Sequence, residues 1–143
     1  MLNTPARARI AVIDDDPIFL ELMQDLLGAA EGYEVFTTVS CLGGYEFVKD
    51  VRPDLVILDL MLGRQQAGWG VLELLRSDIA TCSTPVILCS AAVAVLQHDA
   101  PGPSGSAALE RVAKPFDVDD LLATIRRLLP KVERSAHPAP VER

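Results

Sequence analysis

The chain has 143 residues, of which 50% are hydrophobic and 23% charged, a balance typical of one globular domain with a full core rather than of a disordered chain. Its twenty Asp and Glu residues outnumber thirteen Lys and Arg residues, and the net charge of −7 argues against electrostatic binding to nucleic acid. No apolar run approaches the ~20 residues of a membrane-spanning helix, and three cysteines without a CxxC pair indicate neither a disulfide framework nor a zinc site. We therefore expect a cytoplasmic protein that binds neither nucleic acid nor membranes.

The first part of the chain alternates short apolar runs with amphipathic stretches. Arg9–Asp14 predicts a strand, and Pro17–Ala30 predicts a helix because its apolar residues recur at helical spacing. Asp16 suits the N-cap of that helix, since its side chain can accept a hydrogen bond from the first turn. Glu34–Thr38 then predicts a second strand, and Cys41–Val51 a weaker helix.

Two runs in the middle of the chain are apolar on both faces. Leu55–Asp59 and Pro85–Ser90 therefore predict central strands of a parallel sheet, covered by helices on each side. Between them, a Gly-rich loop over Gly63–Gly70 leads into a helix through Val71 and Leu75.

The pattern weakens after the fourth strand. Helix-breaking residues between Pro101 and Ser106 indicate that a helix beginning near Ala91 is short or irregular. Ala108–Ala113 predicts a fifth strand at an edge of the sheet, since it carries two charged residues. A last helix is expected to begin after Asp117 and to end at Pro130.

Five strands alternating with four or five helices predict an α/β fold with a doubly wound parallel sheet. We expect residues 1–8 to form a leader, residues 9–130 the domain, and residues 131–143 a flexible tail. Ligands of such sheets bind beyond the carboxyl ends of the strands.

Charged and hydroxyl side chains follow the predicted strands at that edge, namely Asp14, Asp15, Asp59, Ser90 and Lys114. Two carboxylates 4 Å apart repel by about 4 kcal/mol at an effective dielectric of 20, so three together need a cation, a shared proton or a lysine. Hard oxygen ligands favour Mg²⁺ or Mn²⁺. Taken alone, however, consecutive acids after a strand are equally typical of a solvated turn and a helix cap.

Four motifs in order resemble those of response-regulator receiver domains from two-component systems. They are IDDDP at 13–17, PDLVILDLML at 53–62, the strand ending at Ser90 and Ala91, and KPF at 114–116. The resemblance covers about residues 9–129. It implies a flavodoxin-like fold with strand order 2-1-3-4-5, an order for which a member of this family is a standard example. It also implies a cis peptide bond between Lys114 and Pro115.

The resemblance also implies roles for the residues at the sheet edge. Asp59 would take a phosphoryl group from a phosphohistidine of a sensor histidine kinase or a histidine phosphotransfer protein. Ser90 and Lys114 would contact that group. The implied Mg²⁺ ligands are Asp14, Asp15, Asp59 and the backbone carbonyl of Met61, with Mn²⁺ as an alternative ion. A stand-alone receiver of this kind is not an enzyme with a separate substrate, and it loses its phosphoryl group slowly to water.

The sequence departs from the family pattern near the readout surface. Gly63 stands where a proline is usual, and Arg111 where many receivers carry an aromatic residue that turns inward on phosphorylation. The segment 91–106 would hold the fourth helix of the family, whose face serves signalling and dimerisation. A downstream protein target is therefore expected without being identified, and a homodimer stays open.

Two other function classes compete with this interpretation. An aspartate-based phosphatase favours a second Asp two residues after the nucleophile, where this chain has Met61. A receiver-like interaction module that acts without phosphorylation is favoured by the altered loop and the shortened helix. The gathering of repelling carboxylates argues against it, since a pure interaction module has no need of them.

Overall fold

The computed structural model describes residues 7–39, 43–59, 67–90 and 109–135. Its strands are β1 Arg9–Ile13, β2 Glu34–Thr38, β3 Leu55–Leu58, β4 Val86–Ser90 and β5 Leu109–Ala113. All neighbouring pairs are parallel, and the order across the sheet is β2-β1-β3-β4-β5. The predicted fold class and strand order are confirmed, including the edge position of β5.

The helices of the described residues are α1 Pro17–Met23, which continues as a π-helix over Gln24–Ala30, α2 Gly44–Val51, α3 Ala67–Ser77 and α4 Val118–Ser135. Asp16 caps α1 as expected, because its side chain accepts a hydrogen bond from the Ile18 N–H at 3.0 Å. None of these helices combines the length and the hydropathy that a membrane span requires.

The helices differ from the sequence prediction in three respects. The π-helical turn after Met23 was not predicted, because apolar spacing does not distinguish i→i+5 from i→i+4 hydrogen bonding. The described part of α3 includes Ala67–Gly70, which the sequence assigned to the Gly-rich loop, because apolar spacing does not mark where a helix begins. The predicted end of the last helix at Pro130 is wrong, because a proline removes one N–H donor while its neighbours keep helical dihedrals.

Some predictions lie outside the described residues. The short or irregular helix of the segment 91–106 is one, and the loop residues 60–66 are another. The proposed leader and tail are covered only in part, so those domain boundaries stay predictions.

The sheet separates two apolar clusters, because alternate residues of a strand point to opposite faces. On one face, Ile57 of β3 lies in a cluster with Leu121 and Ile125 of α4. On the other, its neighbour Leu58 lies in a cluster with Leu72 of α3. Burial of both faces explains the continuous apolar runs of the central strands, and it leaves the carboxyl ends of those strands as the place where polar side chains gather.

Candidate functional site

The register of β1 and β3 places two acidic residues side by side. Ile13 pairs with Leu58, so Asp14 and Asp59 each follow the last residue of neighbouring strands. The Asp59 N–H donates to the Ile13 carbonyl at 3.0 Å, which extends the ladder by one hydrogen bond. Asp14 is 1% exposed and Asp59 is 7% exposed, so both carboxylates are withdrawn from water.

Asp15 completes an acidic cluster at this edge. One ligand atom from each of Asp14, Asp15 and Asp59 lies within 4.8 Å of the others, and Asp15 is the exposed member. Such a donor set of hard oxygens, open to solvent on one side, fits Mg²⁺ or Mn²⁺. The carbonyl of Met61 lies outside the described residues, so its predicted part in the metal site stays a prediction.

Lys114 reaches this cluster from the end of β5, at the far edge of the sheet. Its Nζ lies 2.5 Å from Asp14 Oδ2 and 3.7 Å from Asp59 Oδ2. The peptide bond between Lys114 and Pro115 is cis, as the motif predicts. With three carboxylates and one ammonium, the four side chains carry a charge of −3 + 1 = −2 when ionised, which one divalent cation would neutralise.

The ammonium of Lys114 also lies over an aromatic ring. Its Nζ is 4.1 Å from the centroid of Phe19 in α1. The Phe19 ring in turn meets Phe116 edge to face, with 6.0 Å between centroids and an interplanar angle of 85°. The sequence identified Phe19 only as an apolar helix position, since helical spacing cannot distinguish a core aromatic residue from one that faces a lysine.

Burial and pairing act in opposite directions on the two closest ionisable groups. Burial raises the pKa of Asp14, whereas the hydrogen bond and the charge of Lys114 lower it. The net direction is upward, and we take burial as decisive because the Asp14 side chain is only 2% exposed. Burial alone would lower the pKa of Lys114, but the hydrogen bond to Asp14 and the charges of Asp14 and Asp59 outweigh it, so that pKa is raised. Lys114 therefore stays an ammonium at neutral pH.

The remaining predicted contact comes from the end of β4. Ser90 pairs with Ala113, the residue before Lys114, so the backbone of Ser90 lies at the same edge of the sheet as the acidic cluster. Its side chain lies outside the described part of the structure, and its predicted contact with a phosphoryl group stays a prediction. Arg111, which the sequence places where an aromatic residue is common, is an exposed residue of β5.

This arrangement suits an electrophile that carries negative charge. Asp59 offers a carboxylate oxygen as nucleophile, and the Lys114 ammonium lies 3.7 Å away to stabilise charge on the incoming group. The geometry therefore brings Asp14, Asp15, Asp59 and Lys114 together as expected.

Comparison with known proteins agrees with this geometry. Residues 10–126 match the family model of the response regulator receiver domain. The DNA-binding dual master transcriptional regulator RpaA of Synechocystis is 37% identical over 126 residues, which cover 88% of this chain and 51% of RpaA. The chain thus spans about half the length of the curated relatives it matches. Since relatives are named as DNA-binding regulators, the expectation that nucleic acid is not a partner is not confirmed.

Solved structures share the fold at lower identity. Chemotaxis response regulator CheY4 of Vibrio cholerae superposes with a TM-score of 0.73 at 22% identity, covering 87% of this chain and 100% of CheY4. The receiver domain of the sensor histidine kinase PA1611 from Pseudomonas aeruginosa, with a magnesium ion coordinated in its active site cleft, gives a TM-score of 0.71 at 21% identity and covers 87% of this chain and 99% of that domain.

Proposed function

Because the chain belongs to the response regulator receiver domain family of two-component systems, we propose that it accepts a phosphoryl group on Asp59. The donor is a phosphohistidine of a sensor histidine kinase or of a histidine phosphotransfer protein. One observation carries the proposal: the buried Asp59 carboxylate lies beside Asp14 and within 3.7 Å of the Lys114 ammonium.

The reaction exchanges one bond to phosphorus for another. A carboxylate oxygen of Asp59 forms the new P–O bond as the P–N bond of the phosphohistidine breaks. The electron pair of the P–N bond stays with the imidazole, which takes up one proton from solvent. The Lys114 ammonium keeps its proton and faces the phosphoryl oxygens, and Asp14, Asp15 and Asp59 would hold a divalent cation. Such an ion, when bound, neutralises charge on the transferring group.

The contacts of Asp14 argue against that neighbour as the nucleophile. Both oxygens of Asp14 are engaged, Oδ1 by the Asp16 N–H at 2.9 Å and Oδ2 by Lys114 at 2.5 Å. The distance of 3.7 Å between Asp59 Oδ2 and Lys114 is too long for a hydrogen bond, so that oxygen is less firmly held by the ammonium.

The expected partners follow from this chemistry. The donor is a protein that presents a phosphohistidine, and the downstream target is expected to be a protein, since the chain carries a net charge of −7. We expect no turnover of a separate substrate and only slow loss of the phosphoryl group to water, in a cytoplasmic setting.

The test is the intact mass of the protein after incubation with acetyl phosphate and, separately, with phosphoramidate, which offers a P–N bond. Each is run with Mg²⁺ and with a chelator. We expect one Mg²⁺-dependent phosphoryl adduct, which Asp59→Asn abolishes. Asp54→Asn is the matched control, because Asp54 is a buried carboxylate at the opposite end of β3, where it accepts the Arg9 N–H at 2.8 Å. An adduct that persists in Asp59→Asn, or none with either donor, would contradict the proposal.

A further inference from the structure

The Lys114 ammonium lies close to three other groups. The carboxylates of Asp14 and Asp59 lie 2.5 Å and 3.7 Å from its Nζ, and the ring centroid of Phe19 lies 4.1 Å away. An ammonium within about 6 Å of an aromatic centroid is attracted by the negative face of the ring. Phe19 is therefore a third attractive partner of Lys114.

The ring is itself fixed in place. Phe19 is 8% exposed and belongs to the apolar cluster between α1, α4 and the sheet. Phe116, two residues after Lys114, meets it edge to face. Because the ring cannot turn easily, its face stays directed at the ammonium.

A ring contact has a property that the carboxylates lack. The side chain of a lysine is a flexible four-carbon stem with a strongly hydrated head, so it has a strong tendency to return to water. When a phosphoryl group arrives at Asp59, Lys114 exchanges part of its 2.5 Å contact with Asp14 for contact with the phosphoryl oxygens, since an ammonium has three N–H donors. The ring of Phe19 is neutral and takes no part in that exchange, so it can hold Nζ in place throughout.

We propose that Phe19 is a positioning residue for phosphoryl transfer, whose ring face holds the Lys114 ammonium beside Asp14 and Asp59; the inference rests on the proposed role of Asp59 as phosphoacceptor. Phe19 does not touch the reacting atoms and acts through Lys114. A purely structural role in the core would require only an apolar side chain of similar size, so Leu would serve as well as Phe.

The test compares Phe19→Leu with the ring-bearing variants Phe19→Tyr and Phe19→Trp. The first readout is the NMR shift of the Lys114 side-chain protons, which a ring face moves upfield. The second is the rate of phosphoryl uptake from acetyl phosphate at saturating Mg²⁺. Phe19→Leu removes the contact between the Lys114 ammonium and the ring, which is partly desolvated. We expect this loss to lower the rate of phosphoryl uptake roughly five- to thirtyfold. We also expect Phe19→Leu to lose the upfield shift, and a ring-bearing variant to keep both shift and rate.

Leu20→Val is the matched control, since Leu20 is buried in the same cluster at the next position of α1. It should leave the Lys114 shift and the rate unchanged, whatever its effect on thermal stability. If Phe19→Leu keeps the rate and the Lys114 shift of the wild type, or if Leu20→Val loses as much as Phe19→Leu, the inference is overturned. The proposed function still stands in that case, provided that the wild-type protein takes up a phosphoryl group. A wild-type chain that takes up no phosphoryl group would overturn the proposed function, and this inference with it.

Discussion

At Asp14 a carboxylate is buried beside one ammonium and one backbone N–H. Removing a carboxylate from water costs free energy, which its partners must offset for the charged form to persist in the folded state. The raised pKa of Asp14 shows that burial is not fully offset. Lys114 is thus a stabilising partner of Asp14 as well as a candidate ligand of the phosphoryl group.

Lys114→Met keeps most of the length of the unbranched side chain and removes its charge. We expect the free energy of unfolding at neutral pH, without divalent cations, to fall by about 2–4 kcal/mol, because Asp14 is left buried without its ammonium. Without the hydrogen bond and charge of Lys114, the pKa of Asp14 in the fold rises further, so the folded variant binds the Asp14 proton more tightly than the folded wild type does. The deficit should therefore shrink as the pH falls and Asp14 becomes protonated.

Urea unfolding at neutral and at mildly acidic pH measures both effects. Arg127→Met is the control, because both side chains of its ion pair with Glu110 are exposed, 56% and 38%, and such surface pairs contribute little. A variant Lys114→Met as stable as the wild type at neutral pH would contradict this account of Asp14.

Cys89 is 1% exposed on β4, and burial raises the pKa of its thiol to about 12. The reactive thiolate is therefore scarce at neutral pH. In a Cys41→Ser background, which leaves two of the three cysteines, we expect an alkylating reagent to modify only the half-buried Cys82 of the native protein. Both thiols should react after unfolding in denaturant. Rapid native modification of Cys89, mapped by peptide mass, would contradict the burial of β4.

At the scale of elements, α3 joins β4 through a turn that is tied to the helix. The Arg76 guanidinium, in a residue 7% exposed, donates to the Thr84 carbonyl at 3.0 Å and to the Cys82 carbonyl at 3.5 Å. Burial lowers the pKa of Arg76, but an arginine stays charged at neutral pH. Hydrogen bonds from a charged donor contribute more than neutral ones, so Arg76 helps to fix where β4 begins.

Arg76→Ala should lower the free energy of unfolding by about 2–3 kcal/mol, because the half-buried Cys82 and Thr84 carbonyls lose a charged donor. Arg76→Lys should recover little of that loss, since one ammonium does not reproduce the geometry of a planar guanidinium. Thermal and chemical unfolding of both variants measure this. Substitution of the nearby Ser77, an exposed residue whose hydroxyl donates to Glu73 within the helix, is the control. Full stability of Arg76→Ala would show that the turn does not depend on this contact.

The strands could be predicted closely from sequence, whereas the helix ends could not. Leu55–Leu58 and Val86–Ser90 are apolar on both faces because helices cover both sides of the sheet, and that signal is strong. Helix ends depend on local geometry that apolar spacing does not specify, as Pro130 within α4 demonstrates.

The candidate site was predictable for a different reason. The carboxyl ends of parallel strands share one edge, so Asp14, Asp59 and Lys114 had to lie near one another once the strand order was known. The finer arrangement was not predictable. That Nζ is closer to Asp14 than to Asp59, and lies over Phe19, depends on packing between residues 55 to 100 positions apart in the sequence.

In the whole molecule, the acidic cluster and Lys114 bring together residues that are far apart in the sequence. Asp14 follows β1, Asp59 follows β3, and Lys114 follows β5, so a cation held here stabilises only the folded chain. Ligand that binds the native state adds RT ln(1 + [L]/Kd) to its stability.

Magnesium should therefore raise the free energy of unfolding by about 1.4 kcal/mol at ten times its dissociation constant. Urea unfolding across a Mg²⁺ titration measures this gain. Asp15→Asn should reduce this gain in stability, because it removes one carboxylate of the cluster. Asp15 is chosen because it is the exposed member, so its substitution disturbs the core least. Asp25→Asn, an exposed acid of the π-helical turn, should leave the gain unchanged. Equal gains in wild type and Asp15→Asn would show that the ion binds elsewhere.

The most direct test of Asp59 as the phosphoacceptor is to locate the phosphoryl group on the chain. Borohydride reduces an acyl phosphate to an alcohol, which converts the modified aspartate into homoserine, and peptide mass spectrometry identifies its position. We expect homoserine at position 59 alone, after incubation with a phosphodonor and Mg²⁺. Homoserine at position 14 or 15, or phosphate on another residue type, would contradict the assignment of Asp59 as the phosphoacceptor.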